Sequence, residues 1–448
     1  MAGSAAPPPA QRDLLRILGA AFGLAVVIGG TIGSGILRMP GAVVAQLGSN
    51  WLALAAWALG GLYALLGAAA LADLVTSLPR SGGFYVFARR ALGNAAGVAV
   101  GTADWAANCA GITYGAITFS EYITLLYPEA AAYGPAPGAA AIIGFTALQL
   151  RGMRVSSRVQ EVTSFAKAVA FLLLVGLLLA APAAPASGAA ASAGLAAPAT
   201  AFAGLVAVVI ALQFVVGAYD GWQGAMYFAG EDVDPSRNLP RALIGGVLLV
   251  TVVYLLVNLA FMRVLPLSTL AGSSLPAADA ATVVFGAAGS RIVVWLAALS
   301  LLPLISALLL MAPRVLYAMS RDGLLPARAG YVSPSGTPSV ALLASAAIAL
   351  VMLTARTFET ISAVMAFFAL AGYSGAFVAL LVLRHREPEL SRPFRSWGYP
   401  WTTILVLAGA LALLAGLVVS APGASAIAIV VLAASYPIYR LSVRSVRL

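Results

Sequence analysis

The stretch Gly29–Pro40 reads GGTIGSGILRMP, and Val215–Met226 reads VVGAYDGWQGAM. Each interrupts what is otherwise an apolar run long enough to cross a hydrocarbon core of about 30 Å. Glycine is a poor helix former, and Gly33-Ser34-Gly35 in mid-membrane would leave backbone N–H and C=O groups without partners. Such groups cost several kcal/mol in lipid unless they face protein or a cavity. Taken singly, either stretch also reads as close helix packing through small residues. Together they say more. Five spans separate them, and interruptions at matching places in two five-span halves point to an inverted-repeat transporter with its site near the midplane. A half-helix beginning near Ser34 presents free N–H groups and a positive dipole end to a carboxylate. Carbonyls released by the preceding half-helix suit an ammonium group. The two poles fit a zwitterion.

The rest of the chain is consistent with a membrane setting. Of its 448 residues, 62% are hydrophobic and 9% charged, and the mean hydropathy is +0.98. A soluble domain carries roughly 25% charged residues, so this is an integral membrane protein built from helices. About twelve spans are legible, over 14–40, 46–76, 94–127, 137–151, 157–182, 200–230, 240–264, 290–319, 338–355, 358–383, 400–420 and 423–439. The opening MAGSAAPPPAQRDLLRILGA reads as a short tail entering a helix rather than a cleaved signal.

The chain holds 24 arginines and a single lysine, with a formal net charge of +10. With the N-terminus inside, twenty arginines fall on the cytoplasmic side; Arg38, Arg263, Arg291 and Arg356 fall at outer ends. The positive-inside rule accounts for that bias without a nucleic-acid partner. It places both termini in the cytoplasm, and the expected location is the inner (plasma) membrane. The one cysteine, Cys109, lies within the third span, so neither an internal disulfide nor a disulfide-linked accessory subunit is expected. The one histidine, His385, falls in a cytoplasmic loop. No metal-ligand pattern is present, and no metal or other cofactor is expected.

GTIGSGI followed five spans later by GAYDGW resembles the amino acid–polyamine–organocation transporters, above all the L-type amino acid transporters and their bacterial relatives. The stretches SLPRSGGFYVFARRALG, SSRVQEVTSFAK, GEDVDPSRNLPRAL, VNLAFMRVLP, APRVLYAMSRDGLLP and RPFRSWGYPW continue the similarity in order along nearly the whole chain. The resemblance implies an all-α LeuT-type fold with first and sixth helices broken. Its parts would be a cytoplasmic tail 1–13, repeats 14–182 and 199–384, two further helices within 399–439, and a cytoplasmic tail 440–448. It also implies sodium-independent transport of amino acids, neutral L-amino acids before others, by alternating access, and the exchanger branch that it resembles favours exchange. Ile32, Gly33, Ser34 and Gly35 would then receive the substrate carboxylate. Gly217, Ala218 and Tyr219 would offer carbonyls to the ammonium, and Asp220, Gly221 and Trp222 would complete the second break. Gly217 departs from the pattern: relatives often carry an aromatic gate at that place.

The lone Lys167 lies nine residues past Arg158, roughly 13 Å into the membrane at 1.5 Å per residue. A mid-membrane charge costs at least about 2.5–3.5 kcal/mol, so it needs a polar interior. Gln160, Ser164 and Lys167 share one helix face, bordered by Thr163, and that stripe should point into the bundle. One reading pairs Lys167 with Asp104 or Glu121. The resemblance implies another: a fifth-span lysine stands where sodium-coupled relatives hold sodium, bracing the first break against Ser306 or another eighth-span oxygen.

Asp220 would favour a cationic amino acid or polyamine if it met substrate, or else would bond within its turn. Asp104 and Asn108 are left open. Tyr85, Tyr114, Tyr227 and Tyr373 read as packing residues, and Asp73 as interfacial. Among other classes, an intramembrane aspartyl protease lacks the GxGD companion and a serine hydrolase lacks a membrane histidine. A channel lacks filter repeats and charge rings. Exchange and proton symport through Lys167 both remain compatible with the sequence.

Overall fold

The structure is a computed structural model, and it describes residues 12–182, 201–355 and 357–446. Most of the expected 1–13 tail, the first positions of the repeat expected from 199, Arg356 and Arg447 lie outside the described residues. The described residues are helical throughout, with one isolated backbone bridge between Leu18 and Asp232.

The first expected span is two helices, α1 (Ala20–Thr31) and α2 (Ser34–Leu47), bent by 46° at Ile32-Gly33. Both hinge residues are extended, Ile32 at φ −71°, ψ 101° and Gly33 at φ −138°, ψ −152°. The second half runs on through Pro40 to Leu47, beyond the expected end at 40, although a proline inside the helix leaves the Ile36 carbonyl without its backbone donor. Then follow α3 (Asn50–Ser77), α4 (Phe84–Leu92), α5 (Asn94–Leu126), α6 (Ala136–Leu150) and α7 (Met153–Ala180). The sixth span is α8 (Ala201–Tyr219), a turn at Asp220-Gly221, and a 3-10 segment, Trp222–Phe228. Gly221 sits at φ +111°, a conformation that glycine alone adopts at little cost.

Beyond it come α9 (Pro235–Val264), α10 (Leu267–Gly272), α11 (Pro276–Arg321), α12 (Ser339–Ala355), α13 (Phe358–Arg386), α14 (Trp401–Ser420) and α15 (Pro422–Val446). Helix α11 contains the expected 290–319 span plus an earlier helix, merged across Gly286 at φ +67°. Among the described residues, seven helices are long and apolar enough to cross a membrane, or eight with α1 and α2 taken as one bent span.

The two interrupted helices lie side by side at the centre. α1 packs on the Trp222–Phe228 segment and α2 on α8, an order that makes the two antiparallel. Glycine permits the approach: a Cβ on Gly221 would fall 2.5 Å from the Gly30 carbonyl carbon, and one on Gly35 would fall 3.0 Å from Ala218 Cα. α7, α9 and α11 pack around α1. Asp73, expected near the membrane interface, is buried within the protein. Its carboxylate accepts from Arg384 on α13 and from the Ser396 backbone N–H at 2.9 Å.

Candidate functional site

Helix α7 presents the anticipated stripe inward: Gln160, Ser164 and Lys167 are all buried. The Lys167 ammonium donates to three backbone carbonyls, those of Gly29 (2.9 Å), Ile32 and Ser300 (3.0 Å). Three donors meet three acceptors, which replaces the water that the ammonium gives up. The first two carbonyls flank the break between α1 and α2; the third belongs to α11. Gln160 supports the cluster, its Nε2 donating to Ser164 Oγ (3.0 Å) and Pro303 O (3.1 Å). A Cβ at Gly29 would lie 2.4 Å from that Nε2, so this glycine makes room for the stripe.

Of the readings for Lys167, the bracing of the first break against an eighth-span oxygen matches the contacts seen, and the pairing with a carboxylate does not. Asp104 and Glu121 are engaged elsewhere, by Tyr227 and Arg38 respectively. The α11 oxygen is Ser300 O and not Ser306, whose carbonyl accepts from Gln149 Nε2 at 2.9 Å. Six residues of helix turn Ser306 to another face, toward α6.

The polarity of the first break follows from this arrangement. Its carbonyls are bonded to Lys167 and Tyr254, while the first N–H groups of α2 have no intrahelical acceptor. Ser34, buried at the start of α2, has its Oγ 2.9 Å from Tyr114 Oη of α5. A Cβ built on Gly33 would meet nothing closer than Leu304 at 3.7 Å, so this face of the hinge is comparatively open. Gly35 faces Ala218 of α8 instead. Ile32, Gly33 and Ser34 thus sit together at the N–H end, with Gly35 as their contact to the second break.

Tyr254 of α9 ties the two breaks together. Its Oη lies 2.7 Å from Thr31 O and 2.8 Å from Ala218 O, and its single hydrogen serves one carbonyl at a time. At the second break, Tyr373 of α13 donates to Asp220 and lies 2.8 Å from Gln223 Oε1, which in turn accepts from Gly221 N–H at 3.1 Å. Trp222 stacks on Tyr373, ring centroids 5.2 Å apart and planes 7° from parallel. Tyr219 turns outward from the break, its Oη donating to Trp57 O at 3.1 Å. Gly217 is exposed, and a Cβ there would meet nothing within 4 Å.

Asp104 is buried and accepts from Phe84 N–H (3.0 Å), Asn108 Nδ2 (3.1 Å) and Tyr227 Oη. Tyr85 likewise donates to Asp322 at 2.9 Å. The four tyrosines read as packing residues are therefore hydrogen-bond partners of polar groups, as is Tyr254, which no sequence motif singles out. A hydroxyl inside an apolar run was the available signal, since a buried tyrosine O–H usually finds a partner.

A second polar cluster lies just beyond this site, on the arginine-rich side. Arg314 of α11 grips Glu231 through two nitrogens (2.6 and 2.7 Å) while its guanidinium lies 4.3 Å from the Phe228 ring centroid. The entering chain crosses the same point, with Ile17 and Leu18 N–H both donating to Glu231 O at 3.0 Å.

A protein-family profile described as amino acid permease matches residues 21–439. The serine/threonine exchanger SteT of Bacillus subtilis (strain 168) is 28% identical over 442 residues, covering 96% of this chain and 97% of that protein. The human large neutral amino acids transporter small subunit 2 is 28% identical over 405 residues, covering 85% and 72%. The human Asc-type amino acid transporter 1 is 29% identical over 403 residues, covering 85% and 74%. The matched profile takes in both breaks, the lysine that braces the first and the tyrosines that join them, and the chain belongs to the amino acid permease family of the amino acid–polyamine–organocation superfamily, whose members are transporters and not enzymes.

Proposed function

We propose that this chain carries neutral amino acids without sodium, exchanging one for another by alternating access at the two breaks. The observation that carries the reading is Lys167, whose ammonium bonds carbonyls on both sides of the first break and on α11. A fixed cation there makes a bound sodium redundant, because two positive charges cannot share one set of three carbonyl oxygens at close range. The substrate carboxylate meets the α2 N–H groups and Ser34, and its ammonium meets carbonyls around Ala218. Asp220 bonds Tyr373 and Asp104 bonds Tyr227, which favours an uncharged side chain over a cationic one. The word exchanger in the name of the Bacillus relative supports exchange over proton symport.

In this reading the fold is LeuT-type, with twelve spans in two inverted repeats followed by α14 and α15. The bent pair α1 and α2 makes one span and α8 with Trp222–Phe228 another, and α3, α5, α6, α7, α9, α11, α12, α13, α14 and α15 supply the other ten. The arginine-rich face, with both termini, is cytoplasmic by the positive-inside rule. Counterflow in liposomes across a panel of amino acids tests the function. Uptake should need amino acid inside, persist with choline in place of sodium, and ignore an imposed proton gradient. A sodium requirement overturns the reading, and uptake driven by the proton gradient into empty vesicles replaces exchange with symport.

A further inference from the structure

Opposite the arginine-rich face, α2 and α5 are joined by two rungs of side-chain contact. The inner rung is Ser34 to Tyr114, 2.9 Å between oxygens. The outer rung is Arg38, one turn further along α2 on the same face. Its Nη2 donates to Glu121 at 3.1 Å, its Nε donates to Tyr122 Oη at 3.1 Å, and its guanidinium lies 4.9 Å from the Tyr122 ring centroid. The start of α13 inserts Phe358 between the rungs, 5.1 Å from the Tyr114 ring centroid and 5.9 Å from Arg38 Cζ. Three elements distant in the chain are therefore held together, directly beyond the N–H end of the first break, by side chains alone.

We propose that Arg38 and Glu121, seated on Tyr122 and Phe358, are the latch of the gate on this face, and that Tyr114 couples the latch to the substrate carboxylate. This rests on reading Ser34 as part of the carboxylate site. Gly217 offers no side chain to cover the site, and the Tyr114–Phe358 pair supplies a cover from different helices. The ion pair is a suitable latch because it is not sealed into the core, the two side chains being 22% and 40% exposed. A partly hydrated pair breaks at little cost and is weakened by salt. An arriving carboxylate takes the Ser34 hydroxyl from Tyr114. This releases the Tyr114 ring against Phe358 and so alters the seat of Arg38.

The test uses a reporter beside the first break, Leu304→Cys in a Cys109→Ala background, with a polar maleimide added to purified protein in detergent. The parent should label slowly. Arg38→Ala and Glu121→Ala should each speed labelling by about three- to tenfold, and Arg38→Glu combined with Glu121→Arg should return it toward the parent rate. High salt should speed the parent and leave both single variants unchanged. Tyr114→Phe, which keeps the ring and frees Ser34, should lower KM for exchange. Equal labelling rates in the parent and both single variants overturn the latch, and an unchanged KM in Tyr114→Phe overturns its coupling to the site. Labelling needs no substrate, so a result there stands even if the transported solute is not an amino acid.

Discussion

The two mouths of the central helix pair are shut by ion pairs of very different burial. At the arginine-rich mouth, Arg314 and Glu231 are 2% and 0% exposed, the grip is bidentate, and Phe228 covers the guanidinium. At the opposite mouth, Arg38 and Glu121 make one contact and remain 22% and 40% exposed. Removing one partner of a buried pair strands a desolvated charge and costs about 3–5 kcal/mol. An exposed pair contributes only about 0.2–1 kcal/mol. Closure on the arginine-rich side is therefore a packed unit, which also holds the entering chain at Ile17 and Leu18. Closure on the other side is a latch that single charges can open.

The largest expected effect tests this asymmetry directly. Glu231→Ala should lower stability by about 3–5 kcal/mol, because Arg314 keeps its charge and loses its partner. Glu121→Ala should lose less than about 1 kcal/mol. Thermal melting in detergent checks both, and equal losses would break the comparison.

Lys167→Ala comes next. It removes the donor from three carbonyls that hold the first break against α11. Exchange should slow by about a hundredfold or more, with the folded protein still binding substrate. Rates of counterflow set beside equilibrium binding measure this; a full loss of binding would place the lysine in the substrate site instead.

A third pair of variants separates the hinge from the helix contact. Gly35→Val drives a Cβ to within 3.0 Å of the α8 backbone and should cost about 1–3 kcal/mol in stability along with substrate affinity. Gly33→Ala places its Cβ in ordinary contact with Leu304, 3.7 Å away, at an allowed φ of −138°. It should leave melting unchanged and reduce affinity by crowding the N–H groups. Comparable melting losses in the two would mean that both glycines serve packing.

Gly217→Phe should have the smallest effect on stability, since nothing lies within 4 Å of the added Cβ. Its consequence should appear in selectivity, with large side chains excluded before alanine or serine. An unchanged profile across the amino acid panel would leave the cover over the site to Tyr114 and Phe358 alone.

The two breaks were legible because they are local. Gly33-Ser34-Gly35 and Asp220-Gly221 weaken helix where hydropathy demands it, and no distant residue is needed to see the conflict. Lys167 was legible for the same reason: a charge roughly 13 Å deep must find acceptors, whatever the fold. Less legible was the character of the acidic residues. Asp73 reads as interfacial from its place near a span end, yet it is buried because Arg384, 311 residues away, comes to meet it.

The sequence by itself determined an all-helical membrane chain, the positions of its interruptions, and the need of Lys167 for a polar interior. Each follows from desolvation, backbone hydrogen bonding or the helical period, all of which act within a few turns. Only the tertiary structure decided which oxygens answer that need. Lys167 meets Ile32, 135 residues away, and Ser300, 133 residues away, rather than Ser306. It also decided that Tyr254 bridges both breaks and that Arg38 faces Glu121. Those pairings depend on how helices cross and rotate about one another. That geometry is fixed by side-chain packing summed over several helices and leaves no period in any single one.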